Sequence, residues 1–198
     1  MSYSQNNEEA VILELFKDRP TGRFLDIGAW NGKNLSNTCR LAELGWSGLC
    51  VEPSPKPFVD LLALHGDNPK IQLLNCALTA GTELLEFYDS SGDAVSTACP
   101  AHAEKWEKGS QVRYKKFWIQ TLALPILWQK FGFDFEFINL DVECLNWQLF
   151  QALPFAELTD TRAICVEHDG YSAQMKSLAA GFGFTEKAWN GENLILAR

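Results

Sequence analysis

The stretch that most limits what this chain can fold into is Phe24-Leu25-Asp26-Ile27-Gly28-Ala29-Trp30-Asn31-Gly32, answered by Leu49-Cys50-Val51-Glu52-Pro53. Each is a short apolar run ending in an acid and a breaker, the pattern of a buried strand followed by a turn. The first run bends through two glycines before a helical pattern begins. The second leads to Ser54-Pro55, a hydroxyl cap and a proline suited to a first helical turn. Strand and helix alternating in this way require parallel pairing with right-handed crossovers. In such sheets, ligands bind at the turns on the carboxyl ends of the strands.

The rest of the chain extends the pattern. Asn6 or Asn7 is placed to cap a helix within residues 1–20, with Glu8 and Glu9 in its first turn and Val11, Ile12, Leu15 and Phe16 on one face. Lys33 to Leu44 has helical spacing and Gly45 suits its end. After Pro55, Phe58, Leu61, Leu62 and Leu64 are expected to face inward. Ile71 to Leu78 reads as a third strand and Leu84 to Tyr88 as a fourth. Residues 89–118 show no committing period and are expected to be an irregular insertion. There Lys105, Lys108, Arg113, Lys115 and Lys116 interleave with Trp106 and Trp118. That bias reads either as a solvated loop and edge strand or as a lid facing an acidic substrate.

Pro125 to Phe131 is then a helix, and the alternation from Phe133 through Leu140 a central strand delivering Asp141. Leu145 to Leu153 has helical spacing. Ala163 to Val166 is another buried strand, ending in Glu167-His168-Asp169, and a helix through Met175 and Leu178 follows. Phe184–Trp189 and Glu192–Ala197 flank Asn190-Gly191, a pair favoured in type I′ hairpins, so the last strand should run antiparallel. The expectation is one α/β domain over residues 1–198, with a mostly parallel sheet and helices on both faces.

Composition removes several function classes. A formal charge of -8 in 198 residues is unsuited to a phosphate-backbone partner, so no nucleic acid is expected. The polar N-terminus and the lack of a long apolar run point away from a membrane and to a cytoplasmic protein. The six cysteines are scattered without a C-x-x-C pair, which suits reduced thiols and no metal. Cys99 and His102 are the nearest approach to a ligand pair.

The glycine turn also discriminates among nucleotides. A dinucleotide fingerprint needs glycine at the first, third and sixth positions, which here hold Gly28, Trp30 and Lys33. An indole at the pyrophosphate's approach makes NAD a poor fit. A phosphate-free nucleoside suits the turn better, with Glu52 taking a ribose diol or else capping the Ser54 helix.

Asp26-Ile-Gly-Ala with Gly32 and Ser36-Asn37-Thr38, then Gly45-Trp-Ser-Gly-Leu-Cys-Val-Glu-Pro-Ser-Pro55, resemble the FkbM-type family of S-adenosylmethionine-dependent methyltransferases. Asn75-Cys76-Ala77, Thr121-Leu122, Leu140-Asp-Val-Glu143 and Val166-Glu-His168 continue the resemblance in family order. It implies a seven-stranded Rossmann-like sheet with an antiparallel last strand, S-adenosylmethionine as cofactor and a small-molecule acceptor. By position, Asp26, Gly28, Ala29, Asn31 and Gly32 would hold the amino-acid end of the cofactor. Glu52 with Pro53 would bind the ribose, Cys76 and Ala77 would lie beside the adenine, and Ser36 and Asp141 would line the methionine side. Asp141, Glu143 and His168 are the candidate bases for a hydroxyl acceptor; a metal held by an Asp-Glu-His set is a variant. Trp30, Ala123 and Cys144 depart from the family pattern. They keep open a binding module without turnover, and an NAD-linked oxidoreductase is the remaining alternative.

Overall fold

The computed structural model describes residues 2–198. Its main sheet has seven strands in the order β3-β2-β1-β7-β8-β10-β9. These are β1 (Arg23–Ile27), β2 (Ser47–Val51), β3 (Ile71–Leu74), β7 (Phe137–Leu140), β8 (Ala163–Glu167), β9 (Thr185–Trp189) and β10 (Asn193–Ala197). Pairings from β3 to β8 are parallel, and β10 is antiparallel to both β8 and β9. The expected α/β class and antiparallel finish are both present. A smaller sheet, β4-β6-β5, is made by β4 (Ala77–Thr79), β5 (Leu84–Asp89) and β6 (Lys115–Ala123).

Strand alternation sorts the core into two layers. Leu25, Ile27, Leu49 and Val51 pack with α5 (Leu124–Phe131), α6 (Asn146–Gln151) and α7 (Ser172–Ala180). Phe24, Cys50, Phe137 and Cys165 pack on the opposite face with α1 (Glu8–Leu15), α2 (Cys39–Glu43) and α3 (Pro55–His65). Helices on both faces leave the carboxyl ends of β1, β2, β7 and β8 as the edge where polar side chains gather. Among the described residues no helix is long and apolar enough to cross a membrane.

Several local expectations are corrected. The helix expected from Lys33 begins only at Cys39, because the residues before it bond to the strands beneath. Thr38 Oγ1 donates to Asp26 Oδ2 (2.6 Å) and Asn37 Nδ2 to Asn139 Oδ1 (3.0 Å). The strand expected over Ile71 to Leu78 is two strands in different sheets, broken where Asn75 donates its side-chain amide to the Glu52 carbonyl (2.7 Å). Residues 89–118 are not irregular throughout: α4 (Pro100–Gly109) lies there. Leu62 and Leu64 are exposed, while Leu61 is fully buried.

The capping assignments also change. Asn7 is left-handed and makes no side-chain cap. Glu8 instead accepts from Asn190 and Asn193, at 2.7 and 2.9 Å, and so joins the first helix to the last hairpin. Ser54 turns its hydroxyl to Asp89 rather than to its own helix. The hairpin forms without a type I′ turn, since neither Asn190 nor Gly191 has positive φ. Asn190 Oδ1 accepts the amides of Glu192 and Asn193 and shapes the bend itself.

Candidate active site

The carboxyl ends of β1, β2 and β7 are held together before any side chain is considered. The amides of Gly28 and Ala29 donate to the Val51 carbonyl (2.9 and 3.0 Å), and the Asp141 amide donates to the Ile27 carbonyl (2.9 Å). Gly28 has φ +88, and a Cβ placed there would stand 1.6 Å from the Asp141 carbonyl oxygen. No other residue allows the turn after β1 to lie so close to the turn after β7. Gly32 serves packing as well: a Cβ there would meet Leu61 of α3 at 2.5 Å.

Glu52 closes the turn from the other side. Its carboxylate accepts the amides of Trp30 (2.9 Å) and Ser54 (2.6 Å), so one side chain ties the glycine turn to the start of α3. Two amides occupy two of its four lone-pair sites and leave the others for a ligand. Burial raises its pKa to about 7, and the two amides pull the other way. Trp30 sits at φ 47, a left-handed position that disfavours a bulky residue. Its indole swings away from the turn and donates to the Gly92 carbonyl (3.2 Å), so it walls the cavity without filling the bend.

Below the turn, Asp26 is a buried acid with every oxygen engaged. It accepts from Thr38 and from Asn139 Nδ2 (2.8 Å). Burial raises its pKa. Ser36 is folded inward, its Oγ accepting the amides of Thr38 and Cys39.

These groups surround a cavity of about 550 Å³, the size of a small-molecule site. Asp26, Gly28, Ala29, Ser36, Glu52, Pro53, Cys76, Ala77, Asp141 and Glu143 all line it. Three other sequence candidates are placed elsewhere. Asn31 uses its side chain to accept the amides of Lys33 and Asn34, and Gly32 packs on α3. His168 stacks on Trp189, takes the Gly170 amide on Nδ1 (3.0 Å) and sits 3.2 Å from the Asn190 carbonyl through Nε2. Neither ring nitrogen is free for a base in the cavity.

In its place the fold brings Glu167, Asp169, His102 and Lys105 to the cavity wall. Burial and then the charge of Glu143 push Asp141 upward, a hydrogen bond with Glu167 pulling the other way. Burial and then the charges of Asp141 and Asp169 push Glu167 upward. The shared hydrogen bond requires one of the two carboxyls to hold a proton. Glu143 is raised to about 8 by burial and then by the charges of Glu167 and Asp169. One oxygen from each of Asp141, Glu143 and Glu167 lies within 4.8 Å of the others. His102 Nε2 is 3.2 Å from Glu143 Oε2 without being aligned as a hydrogen bond. Burial, and then the charge of Lys105, lower the His102 pKa, so a neutral imidazole faces a largely protonated carboxyl.

Asn146, fully buried, holds this wall in place. Its Oδ1 accepts the Val142 amide (2.8 Å), while its Nδ2 donates to Glu167 Oε2 (2.7 Å) and Asp169 Oδ2 (3.0 Å). It thereby fixes the turn after β7 to the end of β8. Strand parity carried the signal for Glu167, the last residue of β8. Asp169 lies past the strand at φ 46 and joins it through the shared Asn146 amide.

Neither a family model nor a curated protein sequence matches the chain. Solved structures do. A precorrin-6y C5,15-methyltransferase from Geobacter metallireducens aligns over 96% of this chain and 86% of its own, with TM-score 0.52 and 10% identity. A Staphylococcus aureus protein assigned as a caffeoyl-CoA O-methyltransferase aligns over 99% and 84%, with TM-score 0.53 and 12% identity. What is shared is the fold. This chain has the Rossmann-like fold of these two methyltransferase structures, with the seven-stranded sheet and reversed last strand described above.

Proposed function

We propose that this protein is an S-adenosylmethionine-dependent methyltransferase, of FkbM type, that methylates an oxygen of a small molecule. The observation that carries this reading is Glu52, at the end of β2, facing the same cavity as the Gly28 turn with lone pairs to spare. A carboxylate in that place is suited to accept both hydroxyls of a ribose. The donor set fits the group. Gly28 lets the turns after β1 and β7 meet beside Glu52, Cys76 and Ala77 offer an apolar wall to a base, and nothing in the turn demands a phosphate.

S-Adenosylmethionine, when bound, supplies an electrophilic methyl on a sulfonium. The protein's part is to hold, orient and exclude water. Glu52 fixes the sugar end, and the wall of Asp141, Glu143 and Glu167 faces the acceptor. A carboxyl with a proton affinity near neutrality is matched to taking a hydroxyl proton as its oxygen attacks. Glu143, raised to about 8 and 3.2 Å from His102, takes that proton in its ionised form, whose share grows as pH rises through that value.

Calorimetric titration with S-adenosylmethionine and S-adenosylhomocysteine tests the reading. Saturable heat and a raised melting temperature are expected with both. Absence of both effects would falsify it, and tight NADH binding instead would favour the oxidoreductase. Saturable cofactor binding with no turnover across hydroxylated acceptors would favour the binding module.

A further inference from the structure

The cavity faced by Glu52 does not end at its carboxylates. Trp106 and Asp93 line it and also line a second, shallower groove of about 640 Å³. The groove's other walls include Ser90, Ser110, Arg113 and Lys115. The chain carries a formal charge of -8, and the inner cavity is walled by acids, yet this outer space presents two cations. Neither Arg113 nor Lys115 is in an ion pair among the described residues. The charge of Asp93 is partly turned to its own loop, where Oδ1 accepts the Ala94 amide (2.8 Å). Lys105 stands on the inner cavity beside Trp106, so a positive side chain also marks the way between the two spaces.

The sequence left this basic stretch open between a solvated loop and a substrate wall. We propose that the groove is the anion subsite of the acceptor, and that the acceptor is a phosphorylated small molecule. Its phosphoryl group would be held by Arg113 and Lys115, while its reacting hydroxyl extends past Trp106 towards Glu143. A guanidinium fork and an ammonium are the side chains that bind phosphoryl oxygens best. The assignment rests on the methyltransferase reading of the inner cavity. A polyanion such as RNA is disfavoured by the acidic inner wall.

The probe is inorganic pyrophosphate, titrated into the full chain and into R113A/K115A, with S-adenosylhomocysteine titrated in parallel. Both replaced side chains are exposed, so the variant keeps its fold. Pyrophosphate is expected to bind saturably and about tenfold more weakly to R113A/K115A, while S-adenosylhomocysteine binds both proteins alike. No saturable binding, or equal binding by the variant, overturns the proposal. A short RNA that binds more tightly than pyrophosphate, with a steep salt dependence, also overturns it. If pyrophosphate behaves as expected and S-adenosylhomocysteine does not bind, the groove stands as an anion site and its role for a methyl acceptor falls.

Discussion

Glu52 does two things that a glutamine could not do together. Its two oxygens receive amides from Trp30 and Ser54, and its charge faces the cavity. In Glu52→Gln one oxygen becomes a donor pointed at a donor, so one amide loses its partner. Hydrogen bonds to a charged group are worth about 1.5–3 kcal/mol each. S-Adenosylhomocysteine affinity in E52Q should therefore fall roughly 10- to 100-fold, with a modest loss of thermal stability. Calorimetry showing unchanged affinity would remove Glu52 from the ribose site. The residue scale also shows what the sequence could and could not disclose. Asp26, Gly28, Glu52 and Asp141 were legible because an acid or glycine closing an apolar run has few structural alternatives. His168 misled because residue type was weighed ahead of parity, which would have chosen Glu167.

At the scale of elements, the buried strands were readable and the polar helices were not. β1, β2, β7 and β8 are mainly apolar runs with nearly every residue buried. By contrast α4 buries only Ala103, so it has no apolar stripe to find. Its local cues were Pro100 in the first turn and the Glu104–Lys108 pair four residues apart. The late start of α2 was illegible for another reason: the partners of Asn37 and Thr38 are far away in the chain. The same kind of long-range tie makes Asn146 decisive for the relation of α6 to β8. Asn146→Ala would leave the Val142 amide and two carboxyls without their partner. The expected loss is about 1–3 kcal/mol for unpaired buried polar groups, measured by urea denaturation. Turnover should fall further than stability, because the wall of Glu167 and Asp169 is no longer fixed. An N146A protein with wild-type kcat would deny it that positioning role.

For the molecule as a whole, the concentration of acids at one edge sets how stability responds to pH. Glu52 is raised to about 7 and Glu143 to about 8, chiefly by burial, and Asp141 and Glu167 move in the same direction. In the unfolded chain such carboxyls titrate near about 4.3. From there up to about pH 8 the native state holds more protons than the unfolded state, so stability falls as pH rises across that window. The melting temperature should be highest near the acid end of the window and several degrees lower at its alkaline end. Glu143→Gln should flatten the profile, since it removes one of the groups forced to ionise. A melting temperature that climbs steadily through the window would contradict the arrangement of the wall. Parallel pairing and the antiparallel finish were foreseeable from the alternation of strand and helix and from the closing hairpin, whereas this acidic edge emerges only when β7 and β8 are laid side by side.

The indole of Trp30, held off the turn by the Gly92 carbonyl, has a practical corollary. Of the seven tryptophans in the chain, only Trp30 and Trp106 stand in the cavity wall, while Trp46 and Trp128 are buried in the core. The protein thus carries two native fluorophores at the rim of the space a nucleoside would occupy, and filling that space changes the surroundings of both without any added label.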